Sequence, residues 1–356
     1  MVTVRRHDDA RTAQTPEALL GHLQRRLPGF TATAAPERIR VSYRNDIYRI
    51  PAQPEPVIVK VATSQVPLDQ HRLEIEARSL AALQPGGVLE DVSSPVVRPP
   101  RLLDFDASRH ILMMEDVSAV RNLSSWLLEG GAQREMGQLL GRFTAALHWE
   151  SFADPQLALD FDNSTIHHSR IKFQYGAVAQ MCRRAGLSDA EELGRRADAL
   201  GEQLRSPGVC VIQGDLWPRS VLVSADGLRV IDWELAHYGH PAQDVGHLSA
   251  HLWMEAHRAP TAEAAHRARA TLRSFLTTYR AGLGSAFEEV FGPQGVRQSA
   301  VHFGAEILMR TVGAAQHGYL YEGLDVEDPA LQEAVQTAAQ HIRSPEQVDV
   351  FEALST

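Results

Sequence analysis

Apolar residues recur along this chain with two different periods. Up to about residue 116 they alternate by twos in short runs, the signature of half-buried strands. The runs 38–43, 47–50, 56–62, 99–106 and 110–116 read this way. Two helices interrupt them. Thr15-Pro16-Glu17 supplies an N-cap and a first-turn proline, Leu19, Leu20, Leu23 and Leu27 an apolar face, and Pro28-Gly29 a stop. A second helix over 68–83 is predicted from Leu73, Ala77, Leu80 and Leu83. From residue 125 the period becomes three to four, with helices predicted over 133–149, 188–205, 261–282, 296–320 and 328–342. Met136, Leu139, Leu140, Phe143 and Leu147 mark the first of these. The stretch 151–174 is polar and irregular, and His167-His168 reads as part of a solvated loop, because adjacent histidines do not share a helix face.

One stretch breaks the helical pattern. Val211-Ile-Gln-Gly-Asp-Leu-Trp-Pro-Arg-Ser-Val-Leu-Val223 continues through Ser224-Ala-Asp-Gly227 to Val230-Ile-Asp-Trp-Glu234. It predicts an apolar strand, a tight turn carrying Asp215, a second strand, a hairpin turn, and a third strand ending in Asp232-x-Glu234. One carboxylate for a hydroxyl substrate, with two more for a divalent cation, is the set that phosphoryl transfer needs. Upstream, Lys60 sits inside an apolar strand. A lysine there is costly unless it is paired, reaches a ligand, or sits at an edge with its head in water. Glu76 and Glu74, on the helix that follows, are its candidate partners.

These motifs resemble the aminoglycoside phosphotransferase and choline kinase family, distant relatives of protein kinases. Gln213-Gly-Asp-Leu-Trp-Pro-Arg-Ser220 stands where the family has His-Gly-Asp-x-x-x-x-Asn, and Ile231-Asp-Trp-Glu234 where it has Ile-Asp-x-Glu. Gln213 replaces the family histidine and Ser220 the asparagine; serine is also found there in the methylthioribose kinase branch. The resemblance implies an α+β, bilobal protein-kinase-like fold: a small antiparallel-sheet lobe over 1–116 and a mainly helical lobe over 117–356. It implies ATP and Mg2+ as cofactors. It makes Asp215 the catalytic residue and Ser220, Asp232 and Glu234 the metal ligands. Lys60, braced by Glu76, would hold the α- and β-phosphates. Arg44, in a glycine-free turn over the phosphates, would add charge. Main-chain groups near Met114 and Asp116 would meet the adenine edge. Asp244, in His240-Pro-Ala-Gln-Asp-Val-Gly-His247, would brace the catalytic loop. Arg310 resembles an arginine that methylthioribose kinases lend to the substrate pocket; the alternative is a surface arginine on an amphipathic helix. His148 reads as a satisfied core histidine and stays outside the site.

Composition narrows the partners. At 356 residues, with 44% hydrophobic and 22% charged, the chain is globular. A net charge of −9 opposes binding to nucleic acid or anionic lipid and leans toward a cationic acceptor. Cys182 and Cys210 have no metal-like spacing and read as small buried apolar residues. No apolar leader and no run of about 18 apolar residues is present, which points to a cytoplasmic protein. The expected activity is transfer of the γ-phosphoryl group of ATP to a hydroxyl of a small metabolite or antibiotic. Two alternatives stay open: phosphorylation of Ser or Thr in a natural-product precursor peptide, and a pseudokinase-like nucleotide-binding or scaffold protein.

Overall fold

The strand Val57–Ala62 sends alternate side chains to opposite faces of a sheet, and both faces are covered. In the computed structural model, which describes residues 15–41, 45–63, 67–117, 121–130 and 133–354, it is the middle of five antiparallel strands. Their order is Glu37–Val41, Asn45–Ile50, Val57–Ala62, Ile111–Glu115 and Leu102–Asp106. Val57, Val59 and Val61 share a core with Ile111, Met113 and with Leu19 and Leu23 of the helix Pro16–Arg26. That helix starts as the sequence predicts, the Thr15 hydroxyl accepting from the Ala18 amide. Ile58 and Lys60 fall on the opposite face, where the helix Pro67–Leu83 brings Glu76 to Lys60. These elements belong to one compact unit, drawn from 1–81 and 100–119.

The second unit takes in 82–99 and 120–356 and is mainly helical. The helices Val178–Arg184, Ala190–Gln203, Pro241–His257, Gly295–Thr311 and Pro329–Arg343 share a core that includes Met181, Leu193, Met254, Phe303, Ile307 and Val335. The helices Gln133–Glu150 and Ala262–Leu283 approach so closely that a Cβ on Gly137 would stand 2.2 Å from the Thr271 carbonyl oxygen. The predicted hairpin forms between Val221–Ser224 and Gly227–Val230. Cys210–Ile212 lies outside it and pairs instead with His237–Gly239. Cys182 and Cys210 are free and buried.

Three expectations are corrected. The stretch 151–174 contains two helices, Pro155–Asp160 and Ser164–Gln174, and His167 is buried rather than solvated. Its Nε2 lies 2.9 Å from the Leu204 carbonyl oxygen. Half of the buried positions of Ser164–Gln174 are polar, His167 and Gln174 beside Ile166 and Ile171, so no apolar period is legible there. The helix expected over 296–320 ends at Thr311, and the chain beyond it turns back. Conversely, residues 241–257, read only as a motif, form a helix buried on nearly all sides, which leaves no amphipathic stripe. Among the described residues no helix is long and apolar enough to cross a membrane.

Candidate active site

Gly214 has φ +82°, and a Cβ there would stand 2.3 Å from the Leu235 carbonyl oxygen, so the turn before Asp215 needs glycine. Buried Asp244 fixes this turn. Its Oδ2 accepts from the Gln213 amide and its Oδ1 from the Gly214 amide, each at 2.8 Å. His148 lies behind it, buried, with Nδ1 2.8 Å from the Tyr279 hydroxyl and Nε2 3.4 Å from Asp244. Gln213 turns inward. Its Oε1 accepts from the Asp215 amide at 2.7 Å, and its Nε2 donates to the carbonyls of Ile231 and Asp232 at 3.1 and 3.0 Å.

Asp215 keeps 27% of its side chain exposed, with one imidazole and one guanidinium against it. Oδ1 lies 3.3 Å from His247 Nε2 and 3.6 Å from Arg170 Nη2. Burial pushes this carboxyl up, but His247, Arg170 and Arg310 outweigh that and hold it well below the usual carboxylate range. It is therefore an ionised group that can only accept hydrogen bonds.

Behind Asp215 stands a buried polar network. Glu306 Oε1 accepts from Arg310 Nε at 2.7 Å and faces His251 Nε2 at 3.0 Å; Oε2 accepts from Gln174 Nε2 at 2.7 Å. Burial acts against ionised Glu306, and His247, Arg310 and His251 reverse it, holding the carboxyl well below its ordinary value. Desolvation lowers His251 to about 3, so it is neutral. His247, His251 and Glu306 have metal-ligand chemistry and lie within 4.8 Å of one another. Arg310 and Arg170 already occupy Glu306 and His247, so the cluster is a charge-compensated ion-pair network. Arg310 also stacks 4.8 Å from the centre of the Trp217 ring and 5.2 Å from that of Tyr319. Arg310 is thus no free surface arginine: it joins the late helix to Trp217 in the loop after Asp215.

The other predicted residues divide as follows. Asp232 is left-handed, φ 58° and ψ 56°, a conformation a non-glycine residue keeps only when its surroundings impose it. Asp232 and Glu234 are half-buried carboxylates, hard oxygen donors that suit magnesium. The Ser220 hydroxyl bonds the backbone of its own turn. It is fully buried, donating to the Trp217 carbonyl at 2.9 Å and accepting from the Trp217 amide at 3.1 Å. In the first unit, Lys60 Nζ donates to both carboxylate oxygens of Glu76, at 2.7 and 2.9 Å, with both residues buried. Glu74 faces His71 and His110 instead. Met114 lies in a strand flanked on both sides. The amides of Glu115 and Asp116 donate to Arg101 and Pro56, and the Asp116 carboxylate accepts from Arg49 at 2.6 Å. Those two amides are therefore engaged within the unit. Arg44 lies outside the described residues.

Sequence reasoning missed Arg170, His247, His251, His302 and Glu306. A usable signal existed for two of them: His247 and His251 are four apart, the spacing of one helix face.

Comparison with known proteins gives the family and the fold. The family described as a phosphotransferase enzyme family matches residues 36–282. A methylthioribose kinase from Geobacillus thermodenitrificans is 26% identical over 271 residues, 65% of this chain and 66% of that protein. The match thus spans just under two thirds of that relative's length. Among solved structures, a glucosamine kinase bound to glucosamine, ADP and phosphate superposes with a TM-score of 0.55 at 16% identity, covering 95% of this chain and 87% of that one. A choline kinase from Cryptosporidium parvum gives 0.54 at 11% identity, covering 96% and 99%. The fold is the α+β protein-kinase-like fold, and the chain belongs to the phosphotransferase enzyme family.

Proposed function

We propose that this protein transfers the γ-phosphoryl group of ATP to a hydroxyl of a small molecule. The observation that carries the reading is Asp215: an ionised, partly exposed carboxylate on a turn braced by Asp244 and tied through Gln213 to Asp232. It orients the acceptor hydroxyl and takes its proton late, because a loose transition state asks for little proton removal early. Lys60, fixed by Glu76, serves the α- and β-phosphates. Asp232 and Glu234 would hold magnesium, whose charge would neutralise the phosphates. Ser220 keeps the loop in shape.

The inward use of Gln213 speaks against the pseudokinase alternative, since the residue that departs from the family pattern carries out loop bracing here. Arg170 and Arg310 beside Asp215 oppose a cationic group of the acceptor at that spot, in contrast to the lean drawn from net charge. A hydroxylated neutral or anionic molecule suits them better, the kind of group a guanidinium binds in a fork.

The test is a panel of sugars, thiosugars, amino alcohols, aminoglycosides and a Ser/Thr peptide with magnesium-ATP, products read by mass spectrometry. Phosphorylation of a neutral or anionic polyol is the expected result. Transfer to the peptide alone, or to nothing while ATP still binds, would replace the reading by one of its alternatives.

A further inference from the structure

The helix Pro241–His257 does two things to the catalytic loop. Asp244 braces the backbone, and His247, one turn later, aims Nε2 at Asp215 from 3.3 Å. An ionised carboxylate can only accept, so Nε2 must carry the proton. The neighbours of Nδ1 decide whether it carries a second proton, and they suit a lone pair. Arg170 Nη2, a donor in every state, is 3.1 Å away, and His302 Nε2 is 3.2 Å away. Glu306 Oε2 stands farther off at 3.7 Å, and the His251 ring is neutral at 4.8 Å between centres. His302 Nδ1 in turn meets the Tyr175 hydroxyl at 2.5 Å. Burial raises the Tyr175 phenol and lowers His302, so the phenol is a donor and the imidazole neutral. Each contact then has one consistent direction, Tyr175 O–H to His302 Nδ1 and His302 Nε2–H to His247 Nδ1, which leaves His247 Nε2–H facing Asp215 Oδ1 at 3.3 Å.

We infer that His247 is a positioning residue for Asp215, locked as its Nε2–H tautomer by Arg170 and by a hydrogen-bond row starting at Tyr175. The row keeps Asp215 in one rotamer with its free oxygen turned to the acceptor. A reversed row would set a lone pair against the carboxylate, and Arg170 would then face an N–H at Nδ1. The geometry rests on no assumption about the substrate; its effect on turnover rests on the phosphotransferase reading.

Two measurements test it. Nitrogen-15 NMR of histidine-labelled protein, with the His247 signals assigned by their loss in His247→Gln, should show Nε2 protonated and Nδ1 bare near neutral pH. Asp215→Asn should move the Nε2–H signal. A proton on Nδ1, or a signal indifferent to Asp215→Asn, overturns the inference. The second readout is hydrolysis of magnesium-ATP with water as acceptor. His247→Leu should lower kcat about 10- to 100-fold, the worth of one hydrogen bond to a charged group, with KM for ATP unchanged. His247→Gln, which retains an N–H donor, should recover most of the loss. Equal rates in the Leu and Gln variants overturn the assignment. If His247→Leu does not fold, the NMR of the parent protein decides. A parent that neither binds nor hydrolyses magnesium-ATP removes the phosphotransferase reading, and the NMR result then decides the hydrogen-bond direction alone.

Discussion

Gln213 Nε2 donates to the carbonyl of Asp232, 3.0 Å away, and so ties the turn before Asp215 to the left-handed residue of the Asp-x-Glu motif. The same side chain accepts from the Asp215 amide. Gln213→Leu should therefore leave buried polar groups without partners and cost about 2 kcal/mol of stability. Urea unfolding measures it. A Leu variant as stable as the parent would show that Gln213 is a bystander.

Lys60 and Glu76 form a buried pair, and breaking one side leaves the other charge stranded. Lys60→Met should cost roughly 3–5 kcal/mol and also shrink the thermal shift given by magnesium-ATP. Lys60→Met combined with Glu76→Leu should regain stability without regaining the shift. If the double variant recovers both, Lys60 has only a structural task.

Asp215→Asn keeps shape and removes charge. Nucleotide affinity by calorimetry should be nearly unchanged, while product formation falls about 10²- to 10⁴-fold, the usual worth of a positioned base. Parent-level turnover in this variant would reduce Asp215 to a turn residue.

Asp232→Asn should weaken the magnesium dependence of nucleotide binding. Ser220→Ala should leave it intact and lower stability by about 1 kcal/mol, because its hydroxyl bonds the loop backbone. A magnesium titration of ADP affinity in both variants separates the roles. Loss of metal dependence in Ser220→Ala would restore Ser220 as a ligand.

Stability should fall as pH drops from about 6.5 toward 4. Desolvation lowers His237 to about 4 and His251 to about 3. In the unfolded chain both take up a proton below about 6.5, whereas in the folded chain they do not. The unfolded state then binds more protons, so stability rises with pH in this window, by up to about 1.4 kcal/mol per pH unit for each histidine. Glu306, whose carboxyl is held down, acts only at lower pH, where its contribution disappears on protonation. Urea unfolding at pH 7, 6 and 5 gives the slope, and His237→Gln should flatten it. A pH-independent midpoint would show that the buried imidazoles protonate without unfolding.

The sequence by itself determined the strands of the first unit, the helices with one apolar stripe, and the acids that punctuate the hairpin. These are local matters: period two or three-to-four, an Asp-Gly turn, a capping threonine, a lysine inside an apolar run. It also made Glu76 a candidate for Lys60, since both lie in adjacent elements. Tertiary structure alone decided how Asp215 is surrounded. Arg170, His247 and Arg310, the groups that act on its carboxylate, come from three separate helices, each far from Asp215 in sequence. Two of those helices hid their nature for opposite reasons. Pro241–His257 is buried nearly all round and has no polar stripe, whereas Ser164–Gln174 buries polar side chains and has no apolar one. A polar group inside a protein is tolerated only where its partner arrives, and that partner is set by how helices pack, not by its neighbours along the chain. The Ser220 hydroxyl follows the same logic: only the structure shows it bonded to the backbone of its own turn.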